Sequence, residues 1–308
     1  MSQDRKSLLQ HKAINGWNLF WLVSIPLCAI TVLEMSGQDM TSGPGVSAMI
    51  GFSVRFAVPI IFLVTAISAL HYLFPGPLTA WLMRNRKYIG LCFAVAMAWQ
   101  GFFIYMMSGI HSDYYYNNVF FFRDELEGST GYLFLTAMVI TSFQFARKRL
   151  SPQQWRMIHL SGLYFLWAYP FSTYWWTMAG YYSSGPAPHD YVFYWLGFTA
   201  FALRIVAWGV KRQKANQKHG PEHTTPAMFK VAGGVIIAFG LLWAQLGLQW
   251  QSAISEFLTT PGWSANLELW LPFWPYEPFL SLFAIGIGTM IATRSSETFD
   301  GAVAQPAE

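Results

Sequence analysis

Histidine has the widest chemical range of any residue in this sequence, because a neutral imidazole can bind a metal or transfer a proton near neutral pH. The chain has seven histidines: His11, His71, His111, His159, His189, His219 and His223. Two of them, His71 and His159, lie at or inside long apolar runs, close to basic segments. The others lie in polar segments or at the opposite ends of apolar runs. His71 and His159 are therefore the candidate ligands for a metal or a cofactor.

Two arginines also interrupt apolar runs. Arg55 and Arg204 each lie about 10 Å from a predicted membrane surface, on opposite sides, at 1.5 Å of helix per residue. A charge inside a membrane is costly and usually functional. Two interpretations stay open for each arginine: its side chain snorkels or pairs with backbone carbonyls, or it pairs with an anionic group of a lipid or a cofactor. No Ser–His–acid set, P-loop, glycine-rich nucleotide motif or HExxH motif is present, so hydrolytic catalysis is not indicated.

Composition predicts the class of protein that must position these residues. The 308 residues are 54% hydrophobic and only 11% charged, whereas soluble domains are about a quarter charged. Eight apolar runs are long enough to cross a membrane. They lie near 16–35, 47–73, 88–108, 129–146, 157–179, 190–210, 228–250 and 271–293. We therefore expect an all-α, polytopic membrane helical bundle of about eight transmembrane helices.

The charge pattern orients the predicted bundle. The N-terminal tail and every second segment between spans after it are basic. Their basic residues are Arg5, Lys6, Lys12, Arg84, Arg86, Lys87, Arg147, Lys148, Arg149, Arg156, Lys211, Arg212, Lys214, Lys218 and Arg294. The opposite segments hold one basic residue, Arg123, among ten acidic ones. By the positive-inside rule both termini are cytoplasmic. The basic segments are then topology determinants that touch anionic lipid, and the net charge of +4 does not indicate nucleic acid.

Three stretches carry a likeness to a known family. RNRKYIGLCFAVAMAWQ (84–100), GYLFLTAMVITSFQFARKRLSPQQWRMIHLSGLYF (131–165) and FTAFALRIVAWGVKR (198–212) resemble the third, fourth-to-fifth and sixth spans of the ferric reductase-like transmembrane family. The nearest branch is the haem-binding membrane subunit of the bacterial methionine sulfoxide reductase system. The resemblance implies a six-helix core, to which this chain adds two spans, in a bacterial inner membrane. The implied domains are 1–46 (tail and first span), 47–212 (core), 213–227 (cytoplasmic linker) and 228–308 (two-span appendage with an aromatic outer loop).

The resemblance also implies a haem b site, which this sequence matches only in part. Family members bind haem through histidines on the third and fifth spans, and His159 matches the first fifth-span histidine. Gln100 and Ser172 stand where the other two ligands are expected. Both lie about 21–24 Å from the cytoplasmic face, whereas His159 lies about 5 Å in. Since axial nitrogens on one iron are about 4 Å apart, His159 cannot share a haem with either position.

His71 offers the remaining route to a haem. Its helix runs inward, so His71 should emerge near the depth of His159, where the two could hold an inner haem with Arg204 at a propionate. The alternative is that His71 is an interfacial residue and that His159 hydrogen-bonds a neighbouring loop or a quinone-like headgroup.

Two functions therefore stay open. The first is electron transfer from a cytoplasmic flavin reductase or quinol to an outer-face acceptor, using haem b. The second is a haem-free descendant of the fold that acts as a scaffold, or binds a protein partner at its outer loops, a small ligand or lipid.

Overall fold

The structure is a computed structural model that describes residues 8–178, 185–218, 224–259 and 277–295. These residues form α-helices and short 3-10 turns, with no strand among them. The helices are α1 (Trp17–Gly37), α2 (Gly43–Leu73), α3 (Pro77–Ile110), α4 (Ser112–Asn118), α5 (Phe122–Thr141), α6 (Gln144–Arg147), α7 (Pro152–Met178), α8 (Pro188–Lys218), α9 (Ala227–Thr259) and α10 (Leu280–Ala292). The aromatic outer loop, His219 and His223 lie outside the described residues.

Five of the described helices are long and apolar enough to cross a membrane. They are α1, α2, α3, α8 and the Ala227–Leu246 part of α9, and α10 is a shorter apolar helix. The predicted all-α membrane fold is thereby confirmed. The remaining predicted spans correspond to α5, α7 and α10, and the total of eight stays a prediction.

The helix bounds differ from the predicted spans where polar residues continue a helix or a turn interrupts an apolar run. Helix α3 starts at Pro77, well before the predicted span at 88. Its first turns are helical, but they carry basic side chains and so fall outside the apolar run. The predicted span 129–146 contains the end of α5 at Thr141 and a turn before α6. Hydropathy marks apolar residues whether or not they are helical, which explains both differences.

The chain divides into two compact units, Met1–Pro170 and Phe171–Glu308, and the boundary falls inside α7. In the first unit, α2 and α3 form a long antiparallel hairpin against which α1 packs. Buried side chains of α2, α3 and α4 form a cluster at one end of this hairpin: Val46, Met49, Phe103, Met107 and Tyr115. At the other end, buried Asn85 accepts a hydrogen bond from the Gly16 N–H (2.9 Å) and ties the N-terminal turn to α3.

Helices α5 and α7 of the first unit pack through small residues opposite large ones. Gly162 of α7 lies against Met138 of α5, and Gly131 of α5 faces Phe165 and Leu166 of α7. Phe134 and Phe165 also meet, with ring centroids 5.4 Å apart. The start of α7 is fixed by a reciprocal cap: Ser151 and Gln154 each accept a backbone N–H from the other. This cap sets the position of the residues that follow, including His159.

The second unit is held by close helix contact at glycines. A Cβ added at Gly288 of α10 would lie 2.7 Å from the Gly233 carbonyl of α9, and one at Gly240 would lie 2.8 Å from the Ser281 carbonyl. Helix α8 joins this pair: the Tyr194 hydroxyl donates to the Ala244 carbonyl at 3.0 Å. Small residues allow backbones to approach in this way, which is how helices associate in an apolar surrounding.

We therefore expect Gly288→Val to separate α9 from α10 and to lower the free energy of unfolding by about 1–3 kcal/mol, the usual cost of overpacking. Thermal unfolding of the purified protein in a mild detergent measures this change. Gly286→Val is the matched control on the same helix, because a Cβ at Gly286 meets no atom within 4 Å. Equal losses in the two variants would contradict the close-packed interface.

Candidate functional site

His159 lies on α7 within a cluster of side chains from α5, α6 and α7. Its Nε2 is 3.0 Å from the Thr141 hydroxyl, and its ring packs on Trp155 with centroids 4.2 Å apart. The Trp155 indole N–H donates to the Thr141 carbonyl at 3.2 Å. The Arg147 guanidinium lies over the Trp155 ring, with Cζ 4.0 Å from the ring centroid. Thr141, the last residue of α5, therefore binds both rings of α7.

The hydrogen bonds of Thr141 determine which nitrogen of His159 carries a proton. The Thr141 hydroxyl donates its single proton to the Ala137 carbonyl, 2.6 Å away on its own helix. It can then only accept from His159, so Nε2 of the imidazole is the protonated donor. The free lone pair is on Nδ1, the nitrogen nearest the backbone of α7.

His71 has the opposite arrangement at the turn between α2 and α3. Its Nδ1 lies 3.2 Å from the Thr79 hydroxyl. That hydroxyl accepts from the Gly76 N–H at 3.1 Å and donates to the Phe74 carbonyl at 2.9 Å. Its proton is thus already used, so Nδ1 of His71 donates and Nε2 carries the lone pair. The two histidines of the sequence prediction are held by different threonines and as different tautomers.

The other predicted site residues have separate environments. Arg204 is half-buried in α8, and Ser172 lies in the part of α7 that belongs to the second unit. Within the residues that the structure describes, no group of three or more His, Cys, Asp or Glu side chains could hold a metal ion. The assignment of His71, His159 and Arg204 as a haem site therefore stays a prediction.

Gln100, which stands at a ligand position of the resembling family, has a partner on α5. The Tyr132 hydroxyl lies 3.1 Å from Gln100 Oε1 and 3.0 Å from the Met97 carbonyl. The Tyr132 ring packs against Gly101, where a Cβ would be 3.4 Å from the ring. Tyr132 thus occupies the space between α3 and α5 at this level. The only sequence signal for this contact is Gly101, the glycine that follows Gln100.

The segment between α3 and α5 presents aromatic side chains at the other end of the unit. Its anchor is Tyr115 of α4, which is buried and donates a hydrogen bond to the Glu125 carboxylate. Burial, together with this carboxylate, raises the pKa of the Tyr115 hydroxyl, so it stays a donor. Four neighbouring aromatic side chains are exposed: Tyr116 (65%), Phe120 (39%), Phe121 (65%) and Phe122 (73%). We call residues 112–122, which the charge pattern predicts to lie on the outer side, the outer aromatic segment.

In comparisons with known proteins, no family model, no curated protein and no solved structure matches the chain. The likeness to the ferric reductase-like family therefore rests on the three stretches of sequence given above. What the chain does must be argued from the geometry of its own residues.

Removing the Thr141 hydroxyl should leave the His159 Nε2–H without its acceptor. We expect Thr141→Val to lower the free energy of unfolding by about 1–3 kcal/mol, the cost of a buried unsatisfied polar group. Thr130→Val is the control, since Thr130 makes the same bond back to its own helix, to Leu126, and should change stability by less than about 0.5 kcal/mol. Thermal unfolding in detergent measures both. An unchanged midpoint in Thr141→Val would show that the bond contributes nothing.

Proposed function

We propose that the protein is a haem-free binding subunit of a bacterial inner membrane, with both termini cytoplasmic, and that its outer aromatic segment docks a protein partner. The observation that carries the proposal is the anchoring of this segment. Tyr115 is packed into the buried cluster of α2 and α3 and bonded to Glu125, so the exposed rings beside it are held in a fixed arrangement. A preorganised aromatic surface loses little conformational entropy when it binds.

The chemistry around the segment favours a protein over the lipid headgroups. Aromatic side chains are enriched in the centres of protein interfaces and contribute most of their energy. Acidic residues flank the exposed rings, with Asp113 on one side and Asp124 and Glu127 on the other. These carboxylates would repel an anionic membrane surface. The expected partner presents apolar groups to the rings and basic side chains to the carboxylates.

The hydrogen bonds at the predicted haem positions support the haem-free proposal. His159 donates its Nε2–H to the Thr141 hydroxyl, so this nitrogen has no lone pair available for a metal. Gln100 is bonded to Tyr132, whose ring fills the neighbouring space. Both hydrogen bonds support the haem-free proposal.

The second candidate function is the electron transfer that the family resemblance implies, with a cytoplasmic flavin reductase or quinol as donor. One observation favours it. His71 donates through Nδ1, which leaves the Nε2 lone pair available, and metal-binding histidines are commonly oriented by such a bond from their other nitrogen. Under this proposal the iron would be held by His71 together with His159 or a side chain outside the described residues.

The spectrum of the purified protein separates the two proposals. Prepared from haem-replete cells, the wild-type protein should show no haem α or Soret band in the dithionite-reduced minus oxidised spectrum. His71→Ala and His159→Ala should then leave the spectrum unchanged. Bands that disappear in either variant would establish haem ligation by that residue and overturn the haem-free proposal.

Photo-crosslinking tests the docking surface. A benzophenone analogue of phenylalanine at Phe121 should form an adduct with the mass of one discrete protein in intact membranes. The same analogue at Leu133, which is also exposed but lies further along α5, is the control and should form none. If Phe121 yields only phospholipid adducts, the outer aromatic segment is a membrane anchor and the docking proposal fails.

A further inference from the structure

The guanidinium of Arg147 has an unused hydrogen-bond donor in a place that water reaches poorly. Its Nη1 is buried and has no acceptor among the described residues. The group is nevertheless held in position, because it lies over Trp155, whose indole N–H is bonded to Thr141. A buried donor on a charged group costs more than an ordinary unmade hydrogen bond. An ordered guanidinium with such a donor can therefore take an acceptor from beyond the described residues.

A second cation converges on the same place from another helix. The charges of Arg86, on α3, and of Arg147 both act on the His159 ring. Lys87 is also near, since its ammonium lies 5.2 Å from the ring of Phe143, at the turn before α6. The two segments that supply these cations, 74–87 and 142–156, contain no Asp or Glu. Neither segment therefore brings a carboxylate of its own to Arg147.

His159 cannot act as a counter-charge to Arg147. An imidazole that donates its Nε2 proton to Thr141 is neutral or positive, never negative. Its ring is packed on Trp155, and α5 and α7 are packed beyond it. Arg86, near the start of α3, and Arg147, at the end of α6, both belong to the basic end of the first unit.

We propose that this basic end is a binding site for a phosphate-bearing anion, held between the guanidinium groups of Arg86 and Arg147. A guanidinium offers parallel donors that match two phosphate oxygens, and such charge-assisted bonds are the strong ones. The helix ends that form the site lie at the predicted cytoplasmic surface, where lipid headgroups place their phosphates. The phosphate belongs either to an anionic lipid headgroup or to a small soluble phosphate. This site is separate from the outer aromatic segment and does not depend on the partner proposed there.

Binding to the full-length protein in a neutral detergent tests the site. Two probes distinguish the sources: short-chain phosphatidylglycerol for a lipid headgroup and inorganic phosphate for a soluble anion, with short-chain phosphatidylcholine as the neutral comparison. We expect one of the two anionic probes to bind the wild-type protein and to raise its unfolding temperature. In Arg147→Gln the affinity for that probe should fall by at least about tenfold, the value of one charge-assisted hydrogen bond.

Arg149→Gln is the matched control, because Arg149 is an exposed arginine two residues further along the same basic turn. It should leave the affinity within about twofold of wild type if the site is specific rather than a general effect of net charge. Equal losses in Arg147→Gln and Arg149→Gln would overturn the proposal. An equal response of the wild-type protein to phosphatidylcholine and phosphatidylglycerol, with no binding of inorganic phosphate, would also overturn it, and needs no variant to fold.

Discussion

A polar side chain inside an apolar surrounding must find its hydrogen-bond partner within the chain, because no water is available to replace it. Thr141 shows how this constraint organises the first unit. Its hydroxyl bonds back to its own helix and accepts from His159, while its carbonyl accepts from Trp155. One residue at the end of α5 thereby fixes the orientation of two rings on α7 and, through Trp155, the position of Arg147. The geometry at the basic end depends on this set of bonds.

The need for hydrogen-bond partners within the chain also changes how His71 and His159 are interpreted. A histidine in an apolar run indicates a ligand when only the sequence is considered, since its polar atoms would otherwise be unsatisfied. Thr141 and Thr79 satisfy them, and each threonine leaves a different nitrogen with its lone pair. His159 donates through Nε2 to Thr141 and packs on the Trp155 ring. His71 donates through Nδ1 and keeps its Nε2 lone pair available for a metal, which is why electron transfer remains the second candidate function.

The two units associate their helices in different ways. In the first unit, aromatic and large aliphatic side chains fill the spaces, as Tyr132 does against Gly101 and Met138 does against Gly162. In the second, Gly233 and Gly288 bring backbones together directly. The hydrophobic driving force between helices is weak in lipid, and both arrangements compensate for it through close van der Waals packing. The ends of the first unit differ in charge, so that one suits a basic partner and the other a phosphate-bearing anion.

The sequence by itself determined the all-α membrane class, the approximate location of the long helices and the two ends of opposite charge. These properties follow from composition and from the order of apolar and charged segments along the chain. They do not depend on contacts between residues that are distant in sequence. The tertiary structure decided the protonated nitrogen of each histidine, the pairing of Gln100 with Tyr132 and the convergence of Arg86 with Arg147. Each of these joins residues of different helices, 18 or more positions apart in all but one case: His71 and Thr79 are separated by only 8. The hydroxyl rotation and side-chain packing that settle such contacts have no periodic signal in the sequence, because they depend on how two helices face each other.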